Sequence, residues 1–192
     1  MNAPRILVLA GSLRTGSYNR LLAKAAAQQL ETLNAQVTRL DLADYPLPIY
    51  DGDLEQASGV PTIARELHAV IASHQGVFIA SPEYNASVPP LLLNAIAWVS
   101  RVNENGGKLT AFGQPVFALG SASPGNFGGY RGLLALRQLL AWTLQSQVLP
   151  QVVAVGQAHI AFDEQGQLKD ESAKNMLKEL TAQLVKIASC VK

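Results

Sequence analysis

The stretch Arg5-Ile6-Leu7-Val8-Leu9-Ala10-Gly11-Ser12-Leu13-Arg14-Thr15-Gly16-Ser17-Tyr18-Asn19 decides the fold, because it joins an apolar strand to the start of a helix. The run Arg5–Ala10 is of strand length and apolar on both faces, which is typical of a strand in a parallel sheet. The residues that follow are polar and contain two glycines. Beyond them, apolar residues recur at helical spacing, at Leu22, Ala26, Leu30 and Leu33. This order predicts the first half of a β-α-β unit.

The same alternation continues to the end of the chain. Further strands are predicted at Gln36–Leu42, Gly76–Ala80, Val116–Leu119 and Val152–Val155. The helical stripes between and after them are Ile63, Leu67, Val70 and Ile71, then Leu133, Leu136, Leu140 and Leu144, and last Leu177, Leu180, Leu184 and Ile187. The pattern predicts an α/β protein of three layers, doubly wound around a five-stranded parallel sheet.

Two polar inserts interrupt this rhythm without being long enough for a second domain. Asp44–Pro61 is predicted to be a long loop, and Asn103–Gln114, with Gly106, Gly107 and Gly113, a polar connection. We therefore expect residues 1–192 to form a single domain.

Composition excludes several classes of protein. The 192 residues are 48% hydrophobic and carry 15 basic and 14 acidic side chains, a net charge of +1 that does not favour nucleic-acid binding. Cys190 is the only cysteine, so no disulfide framework is expected. His68, His74 and His159 are too scattered to predict a metal site. No apolar run approaches the length of a membrane helix, and we expect a soluble, cytoplasmic protein.

Ligands of doubly wound sheets bind beyond the carboxyl ends of the strands, where the strand order reverses. The loop after the first strand suits a phosphate, because it offers a helix N-terminus, hydroxyl groups and a guanidinium. Its candidate residues are Ser12, Arg14, Gly16, Ser17 and Asn19. Ser17 stands where a nucleotide P-loop needs lysine, so NTP hydrolysis is not expected. The alternative is an ordinary helix start in which Ser17 is only the cap.

Two more loops follow strands at the same edge of the predicted sheet. Ser81-Pro82-Glu83-Tyr84-Asn85 contains a flat aromatic ring, and the N–H groups of Glu83, Tyr84 and Asn85 are expected to face a planar heterocycle. Ser121–Gly129 is rich in small residues that permit close backbone approach to a ligand. The alternatives are a simple turn before a helix opened by Pro89 and Pro90, and an ordinary glycine-rich loop.

These segments resemble the NADPH-dependent FMN reductases, a flavodoxin-like family that includes bacterial quinone and chromate reductases. Gly11–Asn19 is similar to the family's G-S-x-R-x-x-S-x-N loop, and Ser81–Pro89 to its [ST]-P-E-Y-N-x-S-x-P segment. Asn94–Arg101 resembles N-A-I-D-W-[LV]-S-R, and the stretches Pro46–Asp53 and Ser123–Arg131 are compatible with two further family patterns. The likeness extends from about Ile6 to about Val155.

The resemblance implies a cofactor and a set of roles. The expected strand order is 2-1-3-4-5, and Ser12, Arg14, Ser17 and Asn19 are implied to hold the FMN phosphate. The implied isoalloxazine neighbours are Pro82, Glu83, Tyr84 and Asn85 along the ring, with Ser123 and Gly125 closing its other side. A homodimer or homotetramer is implied as well. Leu93 and Ala97 replace charged residues that the family often has, which puts oligomer contacts carried over from relatives in question.

The implied activity is hydride transfer from NADPH or NADH to FMN, and onward to a quinone, free flavin or similar acceptor. No dedicated catalytic side chain and no metal are expected, because the hydride chemistry belongs to the flavin. Two alternatives remain open: a flavodoxin-like electron carrier, disfavoured by the near-zero net charge, and a flavin-binding sensor without turnover. The sequence names neither the acceptor nor the preferred nicotinamide nucleotide.

Overall fold

The computed structural model of the chain describes residues 3–103 and 109–191. Its strands are β1 (Arg5–Ala10), β2 (Gln36–Leu40), β3 (Gly76–Ala80), β4 (Val116–Ala122) and β5 (Gln147–Val155). Its helices are α1 (Tyr18–Thr32), α2 (Gly52–Ser58), α3 (Thr62–Ala72), α4 (Pro90–Val99), α5 (Thr110–Gly113), α6 (Tyr130–Gln138), α7 (Ala158–Ala161) and α8 (Glu171–Ala188). The five strands are all parallel and lie in the order β2-β1-β3-β4-β5, which confirms the predicted fold class and topology.

Alternate residues of the central strands enter two separate apolar cores. Ile6 and Val8 of β1 face α1 and α8, whereas Leu7 and Leu9 face α3, α4 and α6. In β3, Phe78 likewise packs in the core with α1 and α8, and Val77 packs in the core with α3, α4 and α6. Because both faces are covered, β3 and β4 are buried along their whole length, as a parallel sheet with helices on two sides requires.

Several predicted boundaries are corrected by the structure. The second strand ends at Leu40 rather than Leu42, because Asp41 turns the chain by accepting the N–H of Ala43 at 3.1 Å. The fourth strand runs on to Ala122. The fifth begins at Gln147 and includes Pro150, which an edge strand tolerates because one side of its ladder is unpaired. The stripe from Leu133 to Leu144 is buried as expected, but α6 passes into a π-helical turn over Leu139–Thr143.

The prediction that Asp44–Pro61 is an uninterrupted loop is wrong. It contains α2, whose first turn is capped by the Asp51 carboxylate through the N–H groups of Asp53 and Leu54. The loop before α2 is fixed to α4, since Asn94 Nδ2 and Trp98 Nε1 each donate to the Pro48 carbonyl at 2.8 Å. Of the predicted connection Asn103–Gln114, Gly106 and Gly107 lie outside the described residues, and α5 occupies its last part. Among the described residues, none of the helices combines the length and apolarity needed to cross a bilayer.

Candidate functional site

Three loops meet at the carboxyl edge of the sheet, next to the point where the strand order reverses between β1 and β3. Main-chain hydrogen bonds link the first residue of one loop to the neighbouring strand: Gly11 N donates to Ala80 O of β3 at 2.9 Å, and Ser81 N to Gly120 O of β4 at 2.8 Å. The loops after β1, β3 and β4 therefore start side by side. The structure brings together the three segments that the sequence singled out.

The loop after β1 carries the Arg14 guanidinium and the Ser17 hydroxyl close to the N-terminus of α1. Gly16 has a φ of +69°, a left-handed conformation that favours glycine. Ser17 occupies the N-cap position, yet its side chain makes no capping hydrogen bond, so capping alone does not account for this serine. Arg14 is exposed and has no ion-pair partner among residues 3–103 and 109–191. Ser12 is buried and its Oγ accepts the Arg14 N–H at 3.3 Å, which shapes the loop from inside.

The side chain of Asn19 makes two hydrogen bonds to the main chain of β4, which phosphate binding alone would not require. Its Nδ2 donates to Ala122 O at 2.9 Å, and its Oδ1 accepts the Ala122 N–H at 3.0 Å. β3 ends at Ala80, opposite Gly120, so the side-chain amide takes the place of a further strand residue beside Ala122. Asn19 is 3% exposed, and it fastens the first turn of α1 to the end of β4.

The loop after β3 is a tight hairpin. Tyr84 N donates to Ser87 O at 3.1 Å and Ser87 N to Tyr84 O at 2.9 Å, with positive φ angles at Asn85 (52°) and Ala86 (57°). The expectation that the Tyr84 N–H faces a heterocycle is therefore wrong, because the hairpin uses that donor. Pro82 is buried below the hairpin, and the Tyr84 ring is half exposed above it.

Glu83 links this hairpin to the start of α6. Its carboxylate accepts Nε and Nη2 of Arg131 at 2.9 and 2.6 Å, and the Gly132 N–H at 3.1 Å. Burial by itself would raise the pKa of the Glu83 carboxyl, but the hydrogen bond from Gly132 and the bonds and charge of Arg131 outweigh it and hold that pKa below its ordinary value. Gly132 carries no side chain where it meets Glu83; a Cβ there would lie 3.0 Å from Glu83 Cβ.

The loop after β4 is supported from below by the end of β5. Ser123 N donates to Val155 O at 3.0 Å, and Ser123 O accepts the Ala158 N–H at 3.0 Å. Gly125 N donates to Ser123 Oγ at 3.3 Å, and Gly125 O accepts the N–H groups of Gly128 and Gln157 at 3.2 Å each. The Ser123 hydroxyl and Gly125 thus form one turn in the loop after β4.

Sequence reasoning did not predict the contacts that join these loops. Ala122 and Gly132 act through their main-chain groups, which carry no side-chain signature. The support from Gln157 and Ala158 comes from a fourth loop, after β5, for which the only signal was Gly156 directly following a strand. A Cβ on Gly156 would lie 2.5 Å from Asn126 O, so the two loops touch main chain to main chain.

Two of the three histidines, His68 and His74, lie away from this edge. His74 is held between Val70 O at 2.6 Å and Thr38 Oγ1 at 2.8 Å. His68 is buried in α3, and neither of its ring nitrogens has a partner among the described residues. Burial lowers the pKa of both imidazoles. No group of three or more metal-ligating side chains occurs in the part of the chain that the structure describes.

The fold and the site define a class: a flavodoxin-like α/β protein in which the loops after β1, β3 and β4 meet at the switch point of the sheet and border a space that we call the cleft. The family model described as NADPH-dependent FMN reductase matches residues 4–160. The chain belongs to this family.

Comparison with individual relatives supports the same family. The chain is 35% identical, over 91% of its length and 90% of the relative's, to an NAD(P)H-dependent FMN reductase of Pseudomonas aeruginosa. It is 37% identical to a quinone reductase of Escherichia coli, over 72% of this chain and 70% of that one. Among solved structures it resembles FerB, an NAD(P)H:(acceptor) oxidoreductase from Paracoccus denitrificans, with a TM-score of 0.80, 25% identity, and coverage of 98% of this chain and 99% of that chain. The resemblance proposed from the motifs is confirmed, and the chain is an oxidoreductase.

Proposed function

We propose that this protein uses bound FMN to pass electrons from NADPH or NADH to a quinone, a free flavin or a similar small acceptor. The observation that carries the proposal lies at the N-terminus of α1, where the Ser17 hydroxyl makes no capping hydrogen bond and the Arg14 guanidinium forms no ion pair within the described part of the chain. A helix N-terminus with a free cation and hydroxyl is a favourable place for a phosphate. The hairpin with Tyr84 lies on the adjacent strand end, where the rest of the cofactor would extend.

The proposed roles divide between binding and positioning. Ser12, Arg14, Gly16 and Ser17 hold the phosphate, and Asn19 sets the distance between this loop and β4. Along the flavin ring lie Pro82, Glu83, Tyr84 and Asn85 on one side, with Ser123 and Gly125 on the other. Within the second group, Glu83 acts through Arg131 and Gly132, because its carboxylate is already occupied by them.

FMN, when bound, supplies the hydride chemistry by accepting two electrons from the nicotinamide and releasing them to the acceptor. The protein's own contribution is position and charge. Arg14 and the α1 N-terminus balance the phosphate charge, and the Tyr84 ring provides an apolar edge that excludes water. We assign no side chain as general acid or base.

The test of the phosphate assignment is Arg14→Ala, with Arg5→Ala as its control. Arg5 carries the same charge but stands at the opposite edge of the sheet, where its Nε donates to Ser73 O. We expect Arg14→Ala to weaken FMN binding about tenfold or more, the value of a lost charged hydrogen bond, and Arg5→Ala to leave it unchanged. Equal FMN affinity in Arg14→Ala and the parent would remove the assignment.

We further propose that residues 1–192 form one FMN-binding domain that works as a homodimer or homotetramer in the cytoplasm. The packing of α8 against α1 and the sheet supports one domain, and the exposed Leu93 and Leu134 support self-association. The single cysteine fits a reducing compartment. Sedimentation equilibrium of the purified protein tests the assembly; a monomer at micromolar concentration would exclude it.

A further inference from the structure

An aromatic ring projects from the rim of the cleft. Phe127 stands two residues beyond Gly125 in the loop after β4, and it is 72% exposed. The loop around it is well bonded, since Gly128 N donates to Gly125 O at 3.2 Å and Tyr130 N to Phe127 O at 3.0 Å. The position of Phe127 is therefore set by a built turn.

The ring is also held from the side. The Arg131 guanidinium carbon lies 5.8 Å from the centre of the Phe127 ring, within the range of a cation–π contact. Arg131 is in turn fixed to Glu83, whose side chain is only 10% exposed. These contacts connect the exposed ring, through Arg131, to the Glu83 carboxylate, and so they link the loop that carries Phe127 to the Tyr84 hairpin.

Most of the ring surface is exposed, and the ring belongs to the loop after β4 that also carries Ser123 and Gly125, two residues of the proposed flavin site. A flat π-system is the ligand chemistry that gains from an aromatic face, through offset stacking, whereas a compact inorganic oxidant gains little from it. We propose that Phe127 is a specificity-determining residue that selects flat aromatic acceptors over compact inorganic ones. The inference rests on the proposed function and deepens it.

The electron balance does not involve the side chain. NAD(P)H loses a hydride and becomes NAD(P)⁺; a quinone gains the two electrons, that hydrogen and one proton from solvent, and leaves as the hydroquinone. Phe127 neither gives nor takes electrons or protons. Its part is to hold the acceptor ring in the cleft while the transfer occurs.

The experiment compares 1,4-naphthoquinone with ferricyanide as acceptors. The FMN-loaded protein is first reduced with stoichiometric dithionite, and its reoxidation by each acceptor is followed by stopped flow. Separately, calorimetry measures the Kd of 1,4-naphthoquinone for the oxidised, FMN-loaded protein in the absence of any reductant. The variants are Phe127→Ala, Phe127→Tyr and, as a matched control, Trp142→Ala, which removes an aromatic side chain that is 86% exposed on the π-helical turn after α6.

We expect Phe127→Ala to lower the naphthoquinone-to-ferricyanide rate ratio and to weaken naphthoquinone binding, each about five- to tenfold, as the loss of an aromatic pair implies. Phe127→Tyr should restore both values, and Trp142→Ala should change neither. An unchanged ratio, or an equal fall for both acceptors, would overturn the proposal. Dithionite replaces NADPH in this experiment. If NADPH fails to reduce the flavin, that failure contradicts the proposed function alone, and the effect of Phe127 on acceptor selection can still be measured.

Discussion

Asn19 gives the sharpest prediction, because fastening α1 to β4, the role that we propose for it, and the phosphate contact that the family resemblance implies have separable consequences. The change Asn19→Ala removes both hydrogen bonds to Ala122 and leaves a buried N–H and a buried carbonyl without partners. Each such group costs about 1–3 kcal/mol, so we expect the free energy of unfolding to fall by about 2–6 kcal/mol in total. That is a large part of the stability of an ordinary domain.

The assay is urea unfolding of the FMN-free protein, because a bound ligand would itself add stability. Asn175→Ala is the control: it makes the same chemical change on the exposed surface of α8 and should shift the free energy by less than about 0.5 kcal/mol. If Asn19→Ala unfolds like the parent in the absence of FMN but binds FMN weakly, the positioning role is wrong and the residue acts on the phosphate alone.

An isosteric change adds a pH test. In Asn19→Asp, a carboxylate oxygen replaces the Nδ2 that donates to Ala122 O, so two acceptors face each other in a buried site. This contact and burial raise the pKa of the new carboxyl in the folded state. A raised folded pKa means that stability is lost as the pH rises, so the deficit relative to the parent should shrink as the pH is lowered from about 7 toward 4. A deficit that does not vary with pH would contradict this reasoning.

Three further predictions concern other residues. Ala86→Gly should raise the free energy of unfolding by about 1 kcal/mol, because glycine adopts the left-handed φ of 57° without the strain that alanine has there. A lower free energy of unfolding in urea would show that Ala86 is not strained. Ser17→Ala should leave the FMN-free protein's Tm unchanged, since the hydroxyl makes no cap, yet weaken FMN binding about tenfold in a fluorescence titration; a lower Tm would restore the capping interpretation. His68→Leu should flatten the fall in stability between about pH 7.5 and 5.5, because the buried imidazole has a folded pKa below its unfolded value of about 6.5 and so loses stability as the pH falls. Part of the dependence of stability on pH should remain in His68→Leu, since the pKa of His74 is also lowered. If the dependence is the same as in the parent, protonation of His68 does not lower the free energy of unfolding.

The fold was predictable because its signals are local and repeated. Strand β1 reads as a continuous apolar run from Ile6 to Leu9, and burial on both faces is what such a run requires. The short helix α2 was missed because its seven residues bury none of their side chains and so show no apolar stripe. Its only signal was Asp51, an N-cap residue directly before Gly52.

The site was predictable as a set of loops but not as a set of contacts. Residue types at the ends of β1, β3 and β4 indicated where a ligand binds, since parallel strands bring their carboxyl ends to one edge. The bonds of Asn19 to Ala122 and of Glu83 to Gly132 could not be read in advance, because each joins a side chain to a main-chain group far away in sequence. Those bonds show that the two residues also join the loops to one another, whereas their predicted contacts with the cofactor stay predictions.

Membership of the NADPH-dependent FMN reductases means that this chain should bind FMN and reduce it with a nicotinamide nucleotide. The most direct measurement is an anaerobic absorbance spectrum of the purified protein with FMN, before and after addition of NADPH, with NADH in a parallel sample. We predict a protein-bound flavin band that bleaches on addition of at least one of the two nucleotides. A bound band that neither nucleotide bleaches would contradict the reductase and favour a carrier or sensor, and a spectrum with no bound flavin would contradict the site itself.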